Sequence, residues 1–103
     1  VLLANLPERE RESYLEGDCF VPLTPHTIIS PRVLRAELAE VARIGFALDR
    51  EEVAEGVVCQ AVPIRHEGAV VGAISISRIS DRPCPGDLAM LQQCAQSIEK
   101  QLA

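Results

Sequence analysis

Residues 56–77 read GVVCQAVPIRHEGAVVGAISIS, two runs of β-branched and small residues that meet at Glu67-Gly68. That pattern predicts an antiparallel hairpin. Its register decides which side chains share a face, because a slip of one residue turns every side chain over. A loop of Glu67-Gly68 alone sets Cys59 opposite Ile76 and sends both serines to the other side. A loop of His66-Glu67-Gly68, with Gly68 left-handed and forming a bulge, sets Cys59 opposite Ser75 and Val57 opposite Ser77. The second arrangement sorts the residues better and is the one expected. One face is then Val57, Cys59, Ala61, Pro63, Val71, Ala73, Ser75 and Ser77. The other is Val58, Gln60, Val62, Ile64, Val70, Gly72, Ile74 and Ile76, an apolar surface fit to cover a helix, although Gln60 interrupts it. The first face is small and semi-polar and leaves space, which suits one wall of a small-molecule site.

Working outward, Ser30 as N-cap, Pro31 at the first helical position and Gly45 as terminator bracket a helix. Leu34, Leu38, Val41 and Ala42 fall on its inner face, while Arg35, Glu37, Glu40 and Arg43 lie largely on the outer one. Phe46-Ala47-Leu48 reads as a short strand ended by Asp49, and Arg50–Glu55 as an acidic loop. Upstream, Pro7 to Leu15 is a short helix capped by Asn5, with Glu8 and Glu10 in the first turn, and Gly17-Asp18 ends it. The apolar opening Val1–Ala4 reads as the tail of a severed helix, and Phe20–Pro25 as connecting chain. Downstream, Ser80–Gly86 is a turn-rich linker with Pro83 and Pro85. Asp87 to Leu102 is an amphipathic helix with Leu88, Leu91, Ala95, Ile98 and Leu102 inward. The order predicts one α+β or three-layer α/β domain with a central antiparallel sheet flanked by helices.

The chain has 103 residues, 48% of them hydrophobic, with only two Phe, one Tyr and no Trp. That is enough for one modest core with few aromatic anchors. The formal charge is −5 and the ten bases are interleaved with acids, so no basic stripe is available to neutralise nucleic-acid phosphates. No run approaches a membrane span and no secretory pattern opens the chain, so a cytoplasmic setting is expected. Cys19, Cys59, Cys84 and Cys94 match neither a CxxC pair nor a zinc knuckle and are expected to be reduced, the first, third and fourth in packing roles.

The pieces LLANLPE (residues 2–8), LRAELAEVARIGFALDREE (34–52), and GVVCQAVPI (56–64) followed by GAISIS (72–77) together resemble the carboxy-terminal effector-binding domain of the IclR family of bacterial transcription regulators. The resemblance covers nearly the whole chain in the family's order. It implies a GAF-like or profilin-like fold, and residues 1–103 as part of an effector domain without its amino-terminal portion and without the winged helix-turn-helix domain. It implies a homodimer or homotetramer, with operator DNA read only through that amino-terminal domain, and a small metabolite, often an organic or aromatic acid, as effector. By the same resemblance the contacts fall to Asp49, Cys59, Ser75 and Ser77, with Gly56, Val57 and Ala61 as backbone or floor residues. Gln60 stands where the family has an apolar residue, and Arg78-Ile79 replaces a Gly-Pro-like exit.

Each of these residues has an ordinary role as well. Cys59 can be a buried thiol, the serines can bind neighbouring backbone, and Asp49 can cap the turn that follows it. A cysteine-dependent enzyme needs a base in reach of Cys59, and no motif supplies one; a purely structural dimerisation domain needs the serine face to be filled. Catalytic residues, metal and cofactor are therefore expected to be absent. His26 and His66 are expected in solvent, and Arg78 and Arg82 are candidates to receive an acidic effector.

Overall fold

A computed structural model describes residues 1–17 and 20–102. The elements are a 3-10 turn at Leu3–Asn5, α1 (Glu8–Leu15), α2 (Pro31–Ile44), β1 (Ala47–Arg50), β2 (Val57–His66), β3 (Ala69–Ile79) and α3 (Asp87–Leu102). The three strands form one antiparallel sheet in the order β1-β2-β3.

The start and stop signals of α2 act as the sequence indicates. The Ser30 hydroxyl accepts the Val33 N–H, Pro31 opens the helix, and Gly45 closes it at φ 86°, a left-handed value that favours glycine. Leu38 and Val41 are buried, but Ala42 is exposed and leaves the inner face. For α1 the expected cap is absent: Pro7 occupies the N-cap position without a side-chain hydrogen bond, and Asn5 instead donates to the Val1 carbonyl. Asp18 and Cys19 lie outside the described residues. β1 starts at Ala47 rather than Phe46 and takes in Asp49, because β2 extends far enough to pair Asp49 with Cys59 and Arg50 with Val58.

The hairpin follows neither of the two simple registers. Glu67 and Gly68 both take positive φ, 52° and 80°, as a two-residue type I′ turn requires, so His66 pairs with Ala69 and Arg65 with Val70. The register then shifts: Ile64 pairs with Gly72, leaving Val71 as the extra residue of a bulge. Beyond it Ala61 pairs with Ser75, Cys59 with Ser77 and Val57 with Ile79. The three-residue loop is thus wrong and so are its pairs, Cys59 with Ser75 and Val57 with Ser77. The two faces survive as assigned around the serines, because one extra residue in the strand has the same effect on them as one extra residue in the loop.

Two clusters make the core. Val62, Leu91 and Ala95 are buried together with Phe46, Ile64, Ile74, Ile76 and Leu88 around them, so α3 covers the apolar face of β2 and β3. Ala4, Leu15, Leu38 and Val41 form the second cluster, which meets the sheet at Ala47. Leu102 is exposed and takes no part.

Candidate functional site

Pairing across all three strands sets Asp49, Cys59 and Ser77 in one row and Ala47, Ala61 and Ser75 in the next. Strands lie about 4.8 Å apart and alternate residues about 7 Å apart, so the patch measures roughly 10 by 7 Å, the footprint of one substituted ring. Alternation puts this patch on the face away from α3. It is built of small side chains, and Ser75 and Ser77 are exposed while Cys59 and Ala61 are half-buried. Cys59 Sγ and Ser77 Oγ share a hydrogen bond at 3.0 Å. Neither serine is filled in by packing, as a purely structural role would need.

Asp49 has its ordinary role at the same time: its Oδ1 accepts the Glu52 N–H at 2.8 Å and closes the turn after β1. One carboxylate oxygen is thereby used, which fixes the side chain at the edge of the row. Gly56 has φ 79°, receives the Ser80 N–H on its carbonyl at 2.8 Å, and donates its own N–H to Glu51 Oε1 at 2.8 Å. It therefore sets where β2 begins and where β3 ends. Val57 follows it, half-buried, opposite an almost fully exposed Ile79.

The connecting chain also reaches this end of the sheet. Thr24 Oγ1 donates to the Glu51 carbonyl at 2.6 Å, and Thr27 Oγ1 donates to that of Glu52. Sequence reading passed over Thr24 and Thr27, since a threonine in a loop carries no periodic signal. Beside them a cavity of about 250 Å³ is lined by His26, Ile28, Glu37, Arg50 and Glu52. Burial, with Glu52 and Asp49 nearby, raises the Glu37 carboxyl above its ordinary pKa against the opposing effect of Arg50, 3.9 Å away.

Arg78 is not where an acidic effector needs it. Its guanidinium is turned to the α3 side, where Nε donates to Asp87 Oδ2 at 2.8 Å and Nη2 to Oδ1 at 2.7 Å. Arg82 is engaged with its neighbour Asp81. An anion at the serine row therefore meets hydroxyl donors. Cys84 and Cys94 are exposed, against the packing role expected of them, because the linker carries the first and the open groove between α3 and β3, beside Ile74, Ile76 and Met90, carries the second. His26 is exposed and His66 lies at the hairpin tip, 3.9 Å from Glu67. The hydrogen-bond partner of Cys59 is a hydroxyl and not a base, and among the described residues no group of three His, Cys, Asp or Glu is placed to hold a metal. No helix of the described residues is long and apolar enough to cross a membrane.

Comparison with known proteins agrees with this fold. The profile of the family described as bacterial transcriptional regulator IclR C-terminal matches residues 1–100. The HTH-type transcriptional regulator XynR of Escherichia coli is 38% identical over 99% of this chain and 42% of its own length. An IclR homolog from Microbacterium hydrocarbonoxydans, solved in complex with 4-hydroxybenzoate, superposes with a TM-score of 0.91 at 30% identity, over 98% of this chain and 42% of that one. The inducer-binding domain of the Acinetobacter transcription factor PobR, solved as a double mutant with 3-hydroxybenzoic acid, gives 0.86 at 25% identity, over 95% of this chain and 59% of that one. The chain thus spans less than half the length of the curated relative. It belongs to the IclR family of bacterial transcriptional regulators, within their C-terminal effector-binding region.

Proposed function

We propose that the Asp49–Cys59–Ser77 row, with Ser75 and Ala61 beside it, is one wall of the effector pocket, and that the effector is a small hydroxylated organic or aromatic acid. The observation that carries this reading is the cross-strand row itself: three polar side chains aligned over three strands on an open face of small residues. Ser75 and Ser77 donate to the effector's carboxylate or carbonyl oxygen, and the Cys59 thiol or backbone packs under it. Asp49 repels a second anion, so the effector turns a hydroxyl towards it and its acid group away. Gly56, Val57 and Ala61 form the floor. The hydroxybenzoates bound by two structural relatives have this division into an acid end and a hydroxyl end.

Residues 1–103 are then part of an effector domain whose remaining wall, and whose DNA-reading winged helix-turn-helix domain, lie elsewhere in a longer cytoplasmic protein. The share of the PobR inducer-binding domain covered supports this. The whole works as a homodimer or homotetramer without enzymatic turnover, and binding switches it by favouring one arrangement over another.

The test is calorimetric titration of the full-length protein with 4-hydroxybenzoate, 3-hydroxybenzoate and a panel of aliphatic hydroxy acids. The Ser75→Ala/Ser77→Ala variant is expected to weaken a hit by tenfold or more, roughly 1.4 kcal/mol for the loss of two hydrogen bonds. A hit bound equally well by that variant removes the assignment.

A further inference from the structure

Ser77 and Arg78 are neighbours in β3, so their side chains leave on opposite faces of the sheet. The first belongs to the row and the second reaches Asp87, the residue that opens α3. The Asp87 side chain is 4% exposed and receives both arms of the guanidinium. It also stands in the first helical turn, where the peptide dipoles favour an anion.

Three features make this pair more than an attachment. The covalent route from β3 to α3 is the bend at residues 80–86, which holds neither helix nor strand and carries Pro83 and Pro85, whereas the ion pair joins the two elements directly. At the other end of α3 Glu99 accepts the Arg65 N–H of β2 at 2.6 Å, and between the two ends the seat is apolar, Leu88, Leu91 and Ala95 against Val62 and its neighbours, so among the described residues nothing else directs the β3 side of the helix. A bidentate arginine–carboxylate pair fixes angle as well as distance. A shift of β3 at Ser77 is therefore transmitted to the first turn of α3 at a defined point.

We propose that Arg78 is the positioning residue that ties the Ser77 end of the row to α3, so that what the row holds biases the seat of that helix. This role builds on the row as the effector site, yet it can be measured with no effector present. In the full-length protein, alkylation of Cys59 by iodoacetamide reports the Cys59–Ser77 contact, and peptide-resolved mass spectrometry isolates that thiol from all others. Asp87→Asn and Arg78→Met are expected to change the rate by about threefold or more, as coupled neighbours do. Arg78→Lys, which keeps the charge and loses the fork, gives an intermediate rate. Leu88→Ala loosens α3 through its apolar seat alone and leaves the rate at that of the parent. Equal rates in Asp87→Asn and the parent overturn the role. So does a Leu88→Ala effect as large as that of Asp87→Asn, because the pair is then ordinary stabilisation. Should no hydroxy acid bind, the effector reading falls while the alkylation rates still decide this one.

Discussion

Asp87 and Glu37 are two carboxylates that respond to acid in opposite directions. The Arg78 guanidinium holds the Asp87 carboxyl below its ordinary pKa, chiefly by hydrogen bonding. Its contribution to stability is complete above the unfolded value, near pH 4, and is lost as the pH falls through the lower folded value. Glu37 is raised by burial first and by Glu52 and Asp49 next, so its ionised form weakens the folded state above its folded pKa and this burden disappears in acid. Thermal melting against pH should therefore show Asp87→Asn lowering Tm at pH 7 and converging on the parent as the pH falls through the lowered Asp87 value. Glu37→Gln should raise Tm at pH 7 and converge likewise; a lowered Tm there contradicts the burial assigned to it. Glu12 and Glu40 are also held low by arginines, Arg35 and Arg43, but those pairs are solvent-exposed and add little to this profile.

Among the elements, α3 bears the heaviest apolar contact, and Leu91 at its centre is 2% exposed. Leu91→Ala removes a buried branch from the centre of the α3 seat and is expected to cost about 3 kcal/mol in chemical unfolding, whereas Leu102→Ala at the exposed end should stay within about 0.5 kcal/mol. A reversal of that order would place the core elsewhere. α2 was legible because capping residues, Ser30, Pro31 and Gly45, acted together with apolar spacing, and α3 was legible from the spacing of Leu88, Leu91 and Ala95 alone. Where propensity stood alone it misled. Asn5 prefers a carbonyl acceptor to the cap, and Ala42 lies on the solvent side of α2, past the stripe that buries Leu38 and Val41.

At the scale of the whole molecule, the candidate site depends on three strands meeting in register, and only part of that was readable. The face shared by Cys59, Ser75 and Ser77 followed from the side-chain sorting, and Asp49 followed from the family resemblance. That Asp49 stands in strand register with Cys59, that the Arg78 side chain reaches Asp87 of α3, and that Thr24 and Thr27 reach the turn after β1 are long-range outcomes with no local pattern. The Val71 bulge escaped for a different reason: Gly72, directly after it and opposite Ile64, is the kind of strand glycine that marks a bulge, but the extra residue was assigned to the loop to reconcile a turn that wants two residues with faces that want three. It also gives the hairpin slack. One residue can be removed between Ala69 and Ala73 by straightening the bulge, and Ser77 still comes to rest beside Cys59. On β2, where Arg65 pairs without any reserve, the same loss has to be absorbed by a second distortion. Deleting Val71 should accordingly leave the folded protein and its effector affinity nearly intact, while deleting Arg65 should abolish both, a difference that a melting curve and one titration of each variant would expose. Of two opposed strands, only one can tolerate a change of length.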